Sequence, residues 1–220
     1  MTFREQLSKM DACESAVKWV GRRGLKRAWA ECQRADWMMR FAARRPLGNR
    51  QQIARAWCAC ARTSLKYVPE GEERPRLAIE AKERWTDDPT PENKRAAHAA
   101  ADGAYVAAYA FDLASAAAYA AHAAAAAADG DYAAVGYAAR AAAAGAEGAF
   151  AAAAADARAA YNDARAAYNP ATPSTSHVAV AVAARADAAA HAARATVDEA
   201  YTAAHAEMSD LIRPMFEVAI

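Results

Sequence analysis

Past Arg95 the chain has no tryptophan, no cysteine and no lysine. That half therefore offers no thiol ligand or nucleophile and no amine for covalent chemistry. The whole chain of 220 residues has only 9 glycines and 8 prolines, few β-branched runs and few hairpin dipeptides between alternating apolar residues. This scarcity argues against sheets and predicts an all-α fold. Long apolar runs are missing too. The charge-free stretch Leu113 to Ala128 is mostly alanine interrupted by Ser115, Tyr119 and His122, which is too short and too weakly apolar for a membrane span. No basic segment followed by an apolar core and a small-residue cleavage site opens the chain, so a cytoplasmic location is expected.

Catalytic signatures are also wanting. There is no Gly-x-Ser-x-Gly, no phosphate-binding loop, no His-Glu-x-x-His and no dinucleotide fingerprint, so neither an enzyme nor a cofactor is expected. The four cysteines, Cys13, Cys32, Cys58 and Cys60, sit in helical patterns and are expected to be reduced and buried. Cys58 and Cys60 are two residues apart, which turns them to different sides of a helix, and no histidine lies near. A metal site is therefore not expected. His98 and His122, alone on alanine helices, read as surface or packing residues.

What the chain has instead is alanine, with 59 of the 125 residues after Arg95. Charge divides at the same point. Residues 1–95 hold 21 basic against 13 acidic side chains, or +8, and residues 96–220 hold 6 against 13, or −7, beneath an overall +1. Such a dipolar distribution can steer opposite partners to the two ends, or the halves can neutralise each other by packing together. We expect a Trp/Arg/Cys-rich helical subdomain over 1–89 and an Ala-rich bundle of long helices over 90–220, packed as one unit.

In the front half Asp11 and Glu14 have the form of a capping pattern before a helix ending near Gly21. A short helix at Thr2 to Ser8 precedes it. Further helices are predicted over Leu25 to Ala43, over Asn49 to Tyr67, and from Pro75 to the Asp87-Asp88-Pro89 break. The five tryptophans read mainly as core, although Trp37 beside Met38, Met39 and Arg40 has the composition of an interface. In the back half Thr90-Pro91-Glu92 starts a helix expected to run to Ala128, with Gly103 a weak point. Asp129-Gly130-Asp131 turns the chain. A second long helix reaches Tyr168, with bends expected at Gly145 and Gly148, and a third spans Ser174 to Arg213. These three would be about 50 to 60 Å long at 1.5 Å per residue and antiparallel. The heptad Asp-Ala-Arg-Ala-Ala-Tyr-Asn occurs twice in a row, at 156–162 and 163–169, and favours helix-on-helix contact.

The candidate binding residues fall in three groups. Trp37, Arg40 and Arg44 lead into a Pro-Gly loop. Arg74, Arg76 and Glu80 form a polar cluster in which Arg76 and Glu80 are also placed for an ordinary i,i+4 salt bridge. Asp187, His191, Arg194, Asp198, Tyr201 and His205 recur every three or four residues, so one helix face carries all six. That stripe is either a proton-handling or anion-binding strip or, as the stronger expectation, the wet face of an alanine helix.

Cys58-Ala-Cys60-Ala-Arg62 through Leu65-Lys66-Tyr67-Val68-Pro69-Glu70, then Glu73-Arg74-Pro75-Arg76-Leu77-Ala78-Ile79-Glu80-Ala81 and Trp85, resemble a family of bacterial immunity proteins from polymorphic toxin systems. The same order is similar to uncharacterised Ala-rich proteins encoded by phages and their hosts. Cys13-Glu14, Ala28-Trp29-Ala30-Glu31-Cys32, Asp36-Trp37-Met38 and the closing Ser209-Asp210-Leu211-Ile212-Arg213 with Phe216 extend the likeness. It implies an all-α protein that works without catalysis, by binding a protein partner: an inhibitor of a toxin or a phage counter-defence factor. Two other readings stay open. The Arg-rich front half can bind nucleic acid or a nucleotide through phosphates, and the Tyr-Ala helices can build a structural homo-oligomer.

Overall fold

The computed structural model describes residues 1–45, 47–111, 115–130, 133–166 and 174–216, and all the regular structure among them is helical. Helix α1 (Phe3–Lys9) opens with a reciprocal capping box: Glu5 N–H donates to Thr2 Oγ1 at 3.2 Å, and Thr2 N–H donates to Glu5 Oε2 at 3.0 Å. It closes in a Schellman turn, where Ala12 N–H reaches the Leu7 carbonyl and Asp11 N–H the Ser8 carbonyl. Asp11 sits there at φ 50°. It ends α1, therefore, and does not cap α2 (Glu14–Val20) as its spacing to Glu14 suggested; the N-cap of α2 is Cys13, without a side-chain bond.

The helix expected over Leu25 to Ala43 is two helices, α3 (Leu25–Glu31) and α4 (Ala35–Arg44). No glycine or proline forces the break. Its cause is distant in sequence: Arg213 donates from Nη2 to the Cys32 carbonyl at 3.0 Å and from Nε to the Trp29 carbonyl at 3.4 Å. A guanidinium thus satisfies the carbonyls that a continuing helix would have used. Helix α5 (Arg50–Arg62) starts with a second capping box, between Asn49 and Gln52. A 3₁₀ turn at Leu65–Tyr67 and α6 (Arg74–Asp87), with Pro75 in its first turn, complete the front half.

Thr90 caps α7 (Pro91–Ala110) as its Thr-Pro-Glu start suggested. The long helix expected to reach Ala128 instead stops at Phe111 and restarts as α8 (Ala116–Asp129), where Ser115 accepts the Ala118 N–H at 3.1 Å. The weak point is a serine cap rather than Gly103. Gly130 then takes φ 83° as the residue past α8, so the expected turn holds. Helices α9 (Ala133–Ala166) and α10 (Ser174–Ile212), of 34 and 39 residues, are the long pair.

Helices α7, α8 and α9 run antiparallel in turn. His98 near the start of α7 meets Asp129 at the end of α8, and His122 in α8 meets Tyr137 in α9. Helix α8 lies at the centre, touching α5, α6, α7 and α9, and every alanine from 123 to 128 is buried. Only a methyl side chain lets four neighbours approach one helix so closely. Gly145 serves the same end: a Cβ added there would come within 2.6 Å of the Tyr67 ring.

One apolar core joins both halves of the sequence. Trp29, Met39 and Ile79 share it with Ala123, Val135, Met208, Ile212 and Phe216. Phe216 stands edge-on to Trp29 at 5.9 Å. Among the described residues no helix is long and apolar enough to cross a membrane.

Candidate binding cleft

The first four helices enclose a cleft of about 340 Å³. Helix α1 contributes Phe3 and Leu7, one turn apart on one face, and Met10 follows as its C-cap. Helix α2 adds Ala16, Trp19 and Val20, and α3 adds Leu25, Ala28 and Trp29. The remaining wall is α4, where Trp37, Met38 and Phe41 face inward and Arg40 and Arg44 reach the same space. Helices α1 and α2 pack on each other and meet α4 through rings: Phe3 stands edge-on to Phe41 at 5.2 Å, and Trp19 tilts against Trp37 at 6.0 Å.

Positive charge dominates the polar lining, with three arginines, Arg34, Arg40 and Arg44, against the single carboxylate of Asp36. Arg34 and Asp36 form a two-pronged pair at 2.9 and 2.7 Å, and the carboxylate holds the guanidinium pKa above its ordinary value. The Arg34 guanidinium also lies over the Trp37 ring at 4.7 Å, as Arg23 lies over Trp19 at 4.9 Å. Arg44 is exposed and makes no ion pair among the described residues.

Of the sequence candidates, then, the structure brings Trp37, Arg40 and Arg44 together at this cleft. Their spacing of three and four residues puts them on one face of α4. Trp19, Trp29 and Phe41, which sequence reasoning read as core or passed over, line it with them. Trp29 is buried as expected, whereas Trp19, Trp37, Trp57 and Trp85 are only half-buried. The signal that could have found the cleft is the recurrence of aromatic residues on four short helices with arginines at their edges.

The second group lies elsewhere. Arg76 is bound to Glu80 at 2.5 Å and also to Glu73, while Arg74 is tied to Glu72. These pairs fix the start of α6, and none of Arg74, Arg76 and Glu80 lines the cleft.

The polar stripe of α10 does not behave as one wet face. The side chains of Asp187, His191 and Arg194 lie outside the described residues. Asp198 is exposed and Tyr201 half-buried, but His205 is 0 % exposed, so the expectation of a solvent face fails there. Tyr201 packs edge-on against His205 at 4.7 Å, and Asp36 Oδ1 lies 3.7 Å from His205 Nδ1. Neither ring nitrogen has a hydrogen-bond partner among the described residues. Burial depresses the imidazole pKa, against a weaker opposite pull from Asp36. The stripe turns inward because Met208 and Ile212, one and two turns on, carry that side of α10 into the core.

His98 and His122 make structural contacts. His98 joins Asp129 at 2.9 Å. His122 stacks on Tyr137 at 5.1 Å with Tyr105 and Tyr109 edge-on, and burial lowers its pKa. Cys32, Cys58 and Cys60 are buried as expected, whereas Cys13 is exposed because it precedes α2 at the lip of the cleft. Burial pushes the Cys58 thiol up to about 12 and the Cys60 thiol well above its usual range, so both stay protonated.

No family model matches the chain, nor does any curated protein or solved structure.

Proposed function

We propose that this protein acts without catalysis, by stoichiometric binding of an acidic protein partner: a toxin that it inhibits or a component of a defence system that it counters. The observation that carries the reading is the meeting of Trp37, Arg40 and Arg44 at the mouth of an aromatic cleft. Tryptophan and arginine are the residue types that dominate binding energy at protein interfaces. The positive front half, at +8 over residues 1–95, would speed encounter with an acidic surface.

Phosphate binding has weaker support. Much of the front-half basic charge is spent on its own acids: Arg23 and Arg27 both hold Glu31, Arg55 holds Asp87, and Arg62 holds Glu83. A nucleic-acid surface needs such groups turned to phosphates instead.

The test is affinity capture from the source host with the tagged full chain, followed by mass spectrometry, in parallel with Arg44→Glu and Trp37→Ala variants. One protein retained near equal stoichiometry by the parent chain and lost from both variants is the expected result. Repeated failure to retain any protein, or equal retention by the variants, overturns the reading.

A further inference from the structure

We propose that the cleft between α1–α2 and α3–α4 is a binding site for a small amphiphilic acid, an apolar body carrying one carboxylate. This site shares Trp37 and Arg44 with the protein-binding reading, but it is tested on the isolated chain, so the two can fail separately.

The first argument is volume. An open-sided space of about 340 Å³ is at the lower end of small-molecule pockets. The second is lining. The half-buried Trp19 and Trp37 present ring surface to the space, with Trp29 and Phe41 nearly buried in its wall, and apolar area removed from water is the main driving force for filling it.

Charge sets the head group. With Arg34 paired to Asp36, Arg44, one helical turn beyond Arg40, stands without a carboxylate partner among the described residues. A guanidinium matches a carboxylate in a two-pronged geometry, whereas a cationic head group would meet like charge. An uncharged body of the same size would gain the apolar contacts alone.

The way in is built from helices joined by side chains. Helix α1 and helix α2 close the cleft through the Phe3–Phe41 and Trp19–Trp37 ring contacts, which can part without breaking backbone hydrogen bonds. Cys13, the one exposed cysteine of the four, stands at the lip and marks that opening.

Decanoate is the probe. Its titration into the full chain should change tryptophan fluorescence saturably at one molecule per chain and slow the reaction of Cys13 with a thiol reagent. Arg44→Gln should weaken decanoate by about tenfold while leaving decanol unchanged, since one charge-assisted contact is lost. Ala28→Met, which fills the cleft, should abolish both responses with the helical circular dichroism retained. The proposal is overturned by the absence of a saturable response, by equal affinity for a decyl ammonium cation, or by an unchanged affinity in Arg44→Gln. Binding to anionic vesicles without a response to monomeric decanoate overturns it as well.

Discussion

Trp29 and Arg213 exchange backbone-directed hydrogen bonds across 184 residues: the indole Nε1 donates to the Arg213 carbonyl at 3.3 Å, and Arg213 Nε donates to the Trp29 carbonyl at 3.4 Å. With the further bond to the Cys32 carbonyl, this pair ends α3 and fastens the 3₁₀ turn Arg213–Met215, just past α10, to the wall of the cleft. Arg213→Met leaves those carbonyls without their donor, so we expect a loss of about 1–3 kcal/mol in urea unfolding. The same variant should loosen the cleft and accelerate Cys13 labelling; unchanged stability and labelling would show that α3 ends for another reason.

The alanines of α8 are there for close approach, and size is the variable that tests it. Ala124→Leu puts a larger side chain among packed helices and should cost about 1–3 kcal/mol. Ala99→Leu, on the exposed side of α7, should stay within about 0.5 kcal/mol of the parent chain. Similar unfolding midpoints for the two variants would contradict a close-packed alanine centre.

His205 makes stability depend on pH in a stated direction. Its folded-state pKa is lowered by burial, so the fold favours the neutral ring. The stabilising difference is present above the ordinary histidine pKa of about 6.5 and is lost as pH falls below it. Protonation would draw the ring toward Asp36 but would strand a charge in a fully buried site facing Arg34 as well. Thermal midpoints measured across acid to neutral pH should fall less steeply in His205→Leu than in the parent chain. His122, also lowered by burial, supplies part of the slope that remains. Identical slopes would exclude His205 as a contributor.

Gly130 turns the chain from α8 toward α9 at φ 83°, and an added Cβ would stand 3.3 Å from Lys82 Nζ and 3.4 Å from the Trp57 ring. Gly130→Ala should therefore cost about 1 kcal/mol or more, because the left-handed conformation disfavours a side chain and the space is already taken. Circular dichroism melting checks it, and an unchanged midpoint would mean the turn relaxes without cost.

Much of the helical plan is legible locally. Thr2 with Glu5, Asn49 with Gln52, Thr90 with Pro91, and Gly130 act through side chains or dihedral freedom within four residues, and the all-α class follows from them and from alanine. The two misread helices fail for different reasons. At Phe111 the signal was present, since Ser115 is an ordinary N-cap hidden in an alanine run. At Cys32 no local signal exists, because the group that ends α3 comes from Arg213. His205 is a third case: a period of three or four residues says which side chains share a face, not whether that face meets water. The cleft shows the same limit, because Trp19, Trp29 and Trp37 carry one apolar signal whether they fill a core or line an opening.

By itself the sequence determined helix class, most helix starts, the charge division near Arg95 and the smallness of the back-half side chains, all properties set within a few residues or by simple counting. Tertiary structure decided which carbonyls Arg213 would cap, that His205 would be buried beside Asp36, and that aromatic faces from four short helices would stop short of filling the space between them. Those outcomes depend on packing between segments far apart in the chain, where local propensity is silent and the close fit of neighbouring surfaces chooses among arrangements of similar local energy.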